Sequence, residues 1–182
     1  MITLVIGCAE GVWDEVAAAQ AIVPKFDAIC CVKAAGIHWP HKFDVWATLH
    51  PEHMKKMREE RAALGYPNGY RVVTAKEISK PNMKIPVDEH VSMRWYEKQG
   101  SGSSGFLGMK YYVDAGSKVV LAGVPMDGRS HFLRNAPWKE GAAKVYVDAW
   151  VNNYARMKPV VRSMSGFTQK LLGAPTTEWA TS

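Results

Sequence analysis

The residues best suited to chemistry follow short apolar runs, and the richest group begins at Gly123. Asp127 and His131 lie close together there. An aspartate at a strand end can bind a ribose or sugar hydroxyl, and a histidine, with an ordinary pKa of about 6.5, suits a general base. Arg129 and Arg134 would neutralise a phosphate. The alternative is that Asp127 caps a turn and His131 is an exposed loop residue.

A second candidate loop runs from Gly7 to Gly11, between the first apolar run and a helical stretch. Glycines let backbone N–H groups approach an anion, and a helix N-terminus favours negative charge. The loop is not a G-x-G-x-x-G, and Glu10 would repel a phosphate placed close to it. A plain tight turn is the competing interpretation of Gly7, Glu10 and Gly11.

A third group comprises Thr48, His50 and His53. Two histidines three residues apart at a helix start can share a face and bind a metal ion, with Asp44 and Asp127 as oxygen donors. One His-x-x-His without a matching cluster is not a zinc signature. We therefore expect no metal, and predict that Thr48 and His50 cap a helix or contact a ligand.

A fourth group lies in the Ser/Gly-rich segment 99–105. Ser101, Ser103 and Ser104 supply hydroxyls, and the N–H groups at the start of the next helix point the same way. A phosphate or carboxylate would fit there, whereas capping by Ser103 or Ser104 needs no ligand. The segment has no G-x-S-x-G elbow, which disfavours a hydrolase nucleophile.

The elements that must position these loops follow from apolar periodicity. Strands are predicted at 2–6, 27–32, 44–48, 71–74, 91–95, 118–122 and 159–162, and helices at 11–23, 51–64, 106–115, 139–156 and 168–172. Strands that alternate with helices predict a parallel sheet covered on both faces. We therefore expect a single Rossmann-like α/β domain over residues 1–182, a three-layer sandwich with a mainly parallel sheet. Ligands of such folds bind beyond the carboxyl ends of the strands.

The positive charge is concentrated in one part of the chain. Among 182 residues, 23 are Lys or Arg and 17 are Asp or Glu, a formal net charge of +6. The segment 129–170 holds eight basic and two acidic residues. This concentration favours one local anion site over a coat for nucleic acid, with a solvated basic face as the alternative.

Cysteine usage and hydropathy bear on the compartment. Three cysteines are an odd number without metal-type spacing, and Cys30 and Cys31 lie in an apolar run where they predict small buried hydrophobes. No apolar run reaches the roughly 18 residues of a membrane span, and the first residues lack the basic start of a secretory signal. We expect a cytoplasmic protein without a membrane partner, and seven tryptophans suit a homo-oligomer interface.

The segment 103–127 resembles a block found in a known group of proteins. It opens on Ser103-Ser104-Gly105, continues through a helical stretch that ends at Ala115-Gly116, and closes on the strand and loop 119–127. It is similar to the corresponding segment of bacterial sialyltransferases with a Rossmann-like fold, and of related pterin pyrophosphokinase-like domains. In the sialyltransferases a nucleotide-activated donor, cytidine monophosphate-sialic acid, lies across these loops and a histidine acts as base.

The resemblance implies roles for several residues of this chain. It would give Ser103, Ser104 and Gly105 to donor contact and Asp127 to the strand-end site, and would make His131 the candidate base. It also implies that two serines of a later loop approach the nucleotide, namely Ser163 and Ser165.

Two hypotheses follow, and the expected partner is a phosphate-bearing small molecule. The first is a nucleotide- or nucleotide-sugar-binding protein, a glycosyltransferase-like transferase in which His131 takes the acceptor proton and the segment 129–170 holds the leaving phosphate. The second is a non-catalytic binding or assembly module, of prophage or accessory type, that keeps the fold without the chemistry. Nucleic-acid binding is disfavoured because no recognisable motif with interleaved aromatics accompanies the basic segment. The functional hypotheses require the loops of Gly7, Ser104, Asp127 and Ser163 to meet at one cleft.

Overall fold

A computed structural model describes residues 1–78, 87–96, 102–133 and 142–182, with the backbone alone for 142–145. Within these ranges seven strands form one sheet, and every neighbouring pair is parallel. The strands are β1 (Ile2–Ile6), β2 (Ala28–Val32), β3 (Val45–Ala47), β4 (Arg71–Ala75), β5 (Glu89–Val91), β6 (Lys118–Ala122) and β7 (Val161–Ser163). Their order across the sheet is β5-β4-β3-β2-β1-β6-β7.

Helices cover both faces of this sheet. They are α1 (Val12–Ile22), α2 (Ala35–His38), α3 (Met54–Ala63), α4 (Ser104–Asp114), α5 (Ala142–Asn152), α6 (Tyr154–Met157), α7 (Gly166–Leu172) and α8 (Thr177–Thr181), with 3-10 turns at Pro51–His53 and Lys76–Ile78. Among the described residues, none of the helices is both long and apolar enough to cross a lipid bilayer.

Two separate hydrophobic cores show that the sheet is the middle of three layers. Successive side chains of a strand point to opposite faces. In β1, Val5 packs into the core that contains helix α4, whereas Leu4 and Ile6 pack into the core that contains α1 and α3. The predicted α/β class with a parallel sheet is therefore confirmed, and the strand order is consistent with a Rossmann-like connection.

The strand order also places the site. From β1 the chain adds β2 to β5 on one side, then returns to add β6 and β7 on the other. The direction of winding therefore reverses between β1 and β6. Open α/β sheets bind ligands in the crevice outside the carboxyl ends of the strands at such a reversal.

Several predicted boundaries were wrong. The strand expected at 91–95 lies at Glu89–Val91, because Asp88 and Val72 exchange hydrogen bonds that align β5 with β4 from Glu89 onward. The residues after it turn instead, and the Glu77 carboxylate accepts from the Met93 N–H at 3.0 Å.

Helical segments also differ from the prediction. The stretch 51–64 begins with a 3-10 turn before α3, and the short helices α2 and α8 were not predicted. The predicted helix 139–156 is divided at Asn153, whose side-chain amide donates to Ala149 O at 2.7 Å. Its first residues, 139–141, lie outside the described ranges.

Candidate functional site

A cleft of about 140 Å³ lies at the predicted position, where β1 and β6 end. Its lining comes from the loops after β1, β2, β3 and β6, from the start of α4 and from one residue of α5. The lining residues are 7–9, 32–33, 49–50, 103–105, 123–129, His131 and Tyr146. The loops of Gly7, Ser104 and Asp127 therefore meet at one cleft as expected. The loop of Ser163 contributes no lining residue, so the expected convergence of four loops is met by three.

Gly7 borders the cleft because the loops after β1 and β6 touch there. Its N–H donates to Ala122 O at 2.7 Å, and a Cβ at this position would lie 2.1 Å from Gly123 O. Only a glycine permits so close a backbone approach.

The rest of the Gly7 to Gly11 loop is not arranged to hold an anion. The N–H groups of Ala9 and Glu10 donate to Gly123 O and Ser130 O, at 3.1 and 2.7 Å. Glu10 and Gly11 are exposed and do not line the cleft, and Gly11 begins α1 in the left-handed conformation with φ 79°. The tight-turn interpretation therefore describes this loop better than a phosphate cradle.

The Arg129 side chain is held by two carboxylates. Its Nη1 lies 3.0 Å from Glu15 Oε1 and its Nη2 lies 3.1 Å from Asp127 Oδ2. Glu15 also accepts from the Gly123 N–H at 2.7 Å and from the Ser165 hydroxyl at 2.5 Å. We refer to Glu15, Asp127, Arg129 and Ser165 as the Arg129 cluster. Because two carboxylates balance the guanidinium, Arg129 fixes the loop after β6 and has little charge left for a ligand.

Asp127 adopts the turn-capping arrangement. Its Oδ1 accepts from the backbone N–H of Arg129 at 3.1 Å, while its Oδ2 belongs to the ion pair. Asp127 lines the cleft, yet its described hydrogen bonds organise the loop.

His131 also lines the cleft, in an orientation that opposes its use as a base. Its Nδ1 accepts from the Leu133 N–H at 3.1 Å, and its ring stacks on Phe132 with centroids 4.9 Å apart. A neutral imidazole whose Nδ1 accepts a hydrogen bond carries its proton on Nε2. The cleft-lining ring therefore suits a hydrogen-bond donor better than a general base.

Lys33 lines the cleft and, unlike Arg129, has no carboxylate partner among the described residues. It follows β2 with φ 46°, an unusual conformation for a residue with a side chain. Its carbonyl accepts from Trp46 Nε1 at 2.7 Å and from the Gly36 N–H at 3.1 Å, and its own N–H donates to Ala47 O at 3.1 Å. The surrounding structure therefore holds the strained backbone in place.

The start of α4 adds hydrogen-bond donors to the same cleft. Ser103 is the N-cap, because its hydroxyl accepts from the Phe106 N–H at 3.2 Å, as in the capping interpretation. Ser104 is buried, and its hydroxyl accepts from the Leu49 N–H at 3.0 Å. A Cβ on Gly105 would lie 2.8 Å from Val124 Cγ1, so this glycine lets the helix start approach the loop after β6. The first N–H groups of a helix lack intrahelical partners and carry partial positive charge.

Thr48 and His50 lie at the end of β3. Thr48 is fully buried, and its hydroxyl accepts from the His50 N–H at 2.9 Å, so Thr48 supports the turn without lining the cleft. His50 lines the cleft, and its Nδ1 lies 2.9 Å from Glu52 Oε1. Asp44 was considered as an oxygen donor for this region, but it lies at the amino end of β3, away from the cleft, and accepts from the Ile29 N–H.

The electrostatics of this turn centre on Glu52. Partial burial by itself raises the pKa of the carboxyl, but hydrogen bonds from its backbone N–H and from His50, with the charges of His50 and His53, outweigh that effect. The pKa of Glu52 is therefore lowered, which favours the carboxylate.

The cysteines do not offer a nucleophile. Cys8 lines the cleft, its thiol donates to Val32 O at 3.0 Å, and burial raises its pKa to about 11. Burial also raises the pKa of Cys30 and of Cys31, both of which are fully buried and free, as the apolar run predicted. Thiols with raised pKa values stay protonated and unreactive at neutral pH.

The loop after β7 lies behind the cleft wall. Ser163 is buried and its hydroxyl is 2.8 Å from Thr168 Oγ1, which fastens β7 to α7. Ser165 belongs to the Arg129 cluster. Both serines therefore organise the cleft from outside it.

Comparison with known proteins gives no match. No family model, curated protein or solved structure matches this chain at a significant level. The cleft is therefore the basis for the proposed function.

Two residues that shape the cleft, Lys33 and Glu15, were not predicted from spacing and composition. Lys33 directly follows a strand, so the rule that ligands bind at carboxyl ends would have found it. Glu15 lies inside α1, and nothing in the sequence distinguishes it from an exposed helical acid. The predicted contacts Ser101 and Arg134 lie outside the described residues.

Proposed function

We propose that this protein binds a small phosphate-bearing molecule, of the nucleotide or nucleotide-sugar class, in the cleft between β1 and β6. One observation carries the proposal. In the described part of the chain the two non-glycine residues with positive φ are Lys33 and Met126, and both line this cleft. Such strain costs about 1–3 kcal/mol per residue and concentrates at ligand and active sites.

The uncompensated charges of the cleft suit a phosphate. The Lys33 ammonium group has no carboxylate partner in the described structure, and the positive end of the α4 dipole opens on the same cleft. The hydroxyl of Ser104 accepts from Leu49 and keeps its proton for a ligand oxygen. An anion bound there would receive charge-assisted hydrogen bonds from several directions.

The size of the cleft limits how much of such a ligand it can enclose. A volume of about 140 Å³ is below the roughly 300–1,000 Å³ of typical ligand pockets. We expect the phosphate-bearing part to lie inside and the remainder of a nucleotide to extend along the open side.

Binding without turnover is the second candidate, and a specific observation favours it over transfer. The two residues proposed for catalysis are already engaged, since Asp127 pairs with Arg129 and His131 Nδ1 accepts from Leu133. To take an acceptor proton through Nε2, His131 would have to change its tautomer. Glycosyl transfer therefore stays a prediction from the sequence.

A thermal-shift screen of nucleotides, nucleotide-sugars and inorganic phosphate tests the binding proposal. A ligand present at 100 times its dissociation constant stabilises by about 2.7 kcal/mol, which corresponds to a Tm increase of about 5 °C or more for a chain of this size. We expect at least one compound to give such a shift. Lys33→Gln should reduce it by about half or more, because a tenfold weaker affinity lowers the stabilisation to about 1.4 kcal/mol. Lys25→Gln, the same change at an exposed lysine before β2, should leave it intact.

Two results would contradict the proposal. One is that no compound raises the Tm of the unaltered protein. The other is that Lys33→Gln shifts as much as the unaltered chain. Release of free nucleotide from the best ligand, measured with and without His131→Ala, then separates transfer from binding alone.

A further inference from the structure

Three metal-ligand side chains stand together at the edge of the cleft. His50, Glu52 and His53 occupy the 3-10 turn and the residue before it, and one donor atom of each lies within 4.8 Å of the others. Glu52 supplies the third ligand that the His-x-x-His spacing alone lacks.

The separations from the Glu52 carboxylate to the two histidines are close to those around a tetrahedral ion. Bonds from Zn²⁺ of about 2.0–2.1 Å to nitrogen and about 2.0–2.2 Å to oxygen place neighbouring ligand atoms about 3.4 Å apart. Glu52 Oε1 lies 2.9 Å from His50 Nδ1 and 3.8 Å from His53 Nε2, so the two distances bracket that value. Small side-chain rotations would equalise them.

The backbone of the turn is fixed before any ion binds. The His50 N–H donates to the Thr48 hydroxyl at 2.9 Å, the His53 N–H donates to His50 O at 3.1 Å, and Pro51 begins the turn. The two imidazole rings are nearly parallel, at 25°, with centroids 5.8 Å apart. A rigid turn keeps the cost of ordering the ligands low.

The side chains that pair with Glu52 are residue types that bind metal ions. In the described structure this carboxylate pairs with two histidines and with no lysine or arginine. Two neutral imidazoles and a carboxylate are a donor set that zinc commonly takes in proteins.

We propose that His50, Glu52 and His53 bind a Zn²⁺ ion with three protein ligands. The fourth coordination position is then left for water or another small ligand, as in zinc sites that are not closed by protein. Because His50 also lines the cleft, the ion borders the cleft. The site does not depend on the identity of the cleft ligand.

Titration of the tag-free chain with Zn²⁺ alone, by calorimetry, tests this site. We expect one equivalent to bind with a micromolar dissociation constant or tighter. Co²⁺ should give the intense visible absorption of a four- or five-coordinate complex, which Zn²⁺ then displaces. His53→Ala and Glu52→Gln should each weaken Zn²⁺ binding at least about tenfold. Loss of a residue that only hydrogen-bonds to a metal ligand already costs about 10–100-fold in affinity, so loss of a ligand itself should cost no less.

The matched control is His41→Ala, which removes an exposed histidine outside the cluster. It should leave the zinc affinity unchanged. Both changed residues of the cluster are exposed, so thermal unfolding of each variant should match that of the unaltered chain. The proposal is overturned if no stoichiometric zinc binds at micromolar concentration, if His53→Ala binds as the unaltered chain does, or if His41→Ala weakens binding equally. These titrations use the metal alone, so their outcome does not depend on whether the nucleotide screen succeeds.

Discussion

Two groups of charged residues at the cleft are arranged in different ways. In the Arg129 cluster, Glu15 and Asp127 neutralise Arg129, and the cluster holds the loops after β6 and β7. Lys33, which lines the same cleft, meets no described carboxylate. The comparison shows that a charged side chain is available to a ligand only where its neighbours leave its charge uncompensated. The group with more charged residues therefore has a structural role.

The largest effect should come from the contact between the loops after β1 and β6. Gly7→Ala places a Cβ 2.1 Å from the backbone oxygen of Gly123, which has little freedom to move. Overpacking of this kind should lower the free energy of unfolding by about 3 kcal/mol, measured in urea. Gly11→Ala, in the same loop, meets no atom within 4 Å and should cost only about 1 kcal/mol for its left-handed backbone. Equal costs would contradict the close approach.

A smaller loss is expected from Glu15→Gln. Glutamine removes the charge that pairs with Arg129, and its NH2 group replaces one of the two oxygens that accept from Gly123 or from Arg129 and Ser165. Hydrogen bonds to charged groups contribute about 1.5–3 kcal/mol. Because the Arg129 side chain is 32% exposed, we expect about 2 kcal/mol in urea unfolding. Asp14→Asn, one residue earlier on the exposed side of α1, should change stability by less than about 0.5 kcal/mol. Similar losses for both variants would remove the structural role of the Arg129 cluster.

At the uncompensated cation of the cleft, Lys33→Gly should stabilise the protein. Glycine adopts φ 46° without the strain that lysine carries there, and the gain should be about 0.5–1 kcal/mol after the entropy of the more flexible unfolded chain. The same variant should reduce the ligand-induced Tm shift by about half or more. Lys25→Gly, whose backbone φ is not positive, should not gain stability. A destabilised Lys33→Gly that still binds ligand would show that the strain serves no ligand.

The smallest effect concerns Cys8, which also lines the cleft. Because its pKa is raised from 9.0 to about 11 in the folded protein, the protonated thiol stabilises the fold below pH 9, and that contribution declines as the pH rises from 9 to 11. By pH 9 the loss is about 0.4 kcal/mol. Cys8→Ser keeps a donor for Val32 O without titrating, so its urea stability should fall less than that of the unaltered chain between pH 7 and pH 9. Identical pH profiles would show that Cys8 is not the group involved.

The sheet could be predicted because its strands are buried apolar runs, such as Ile2–Ile6 and Lys118–Ala122, whose signal is local. β5 was misplaced because its start is set by a contact between Asp88 and Val72, which the run 91–95 does not encode. The meeting of the loops was predicted from the carboxyl-end rule. Which charges remain uncompensated was not predictable, because the Arg129–Glu15 pair joins residues 114 positions apart.

The central claim, that Lys33 binds the anion and the Arg129 cluster does not, is tested most directly by two dissociation constants. The ligand is the nucleotide or nucleotide-sugar selected by the thermal screen, titrated by calorimetry into Lys33→Gln and into the double variant Glu15→Gln/Arg129→Gln, which preserves net charge. We predict that Lys33→Gln weakens binding tenfold or more, as expected for a lost charge-assisted hydrogen bond of about 1.5–3 kcal/mol. The double variant should stay within about threefold of the unaltered protein. A double variant that loses binding while Lys33→Gln retains it would contradict the account.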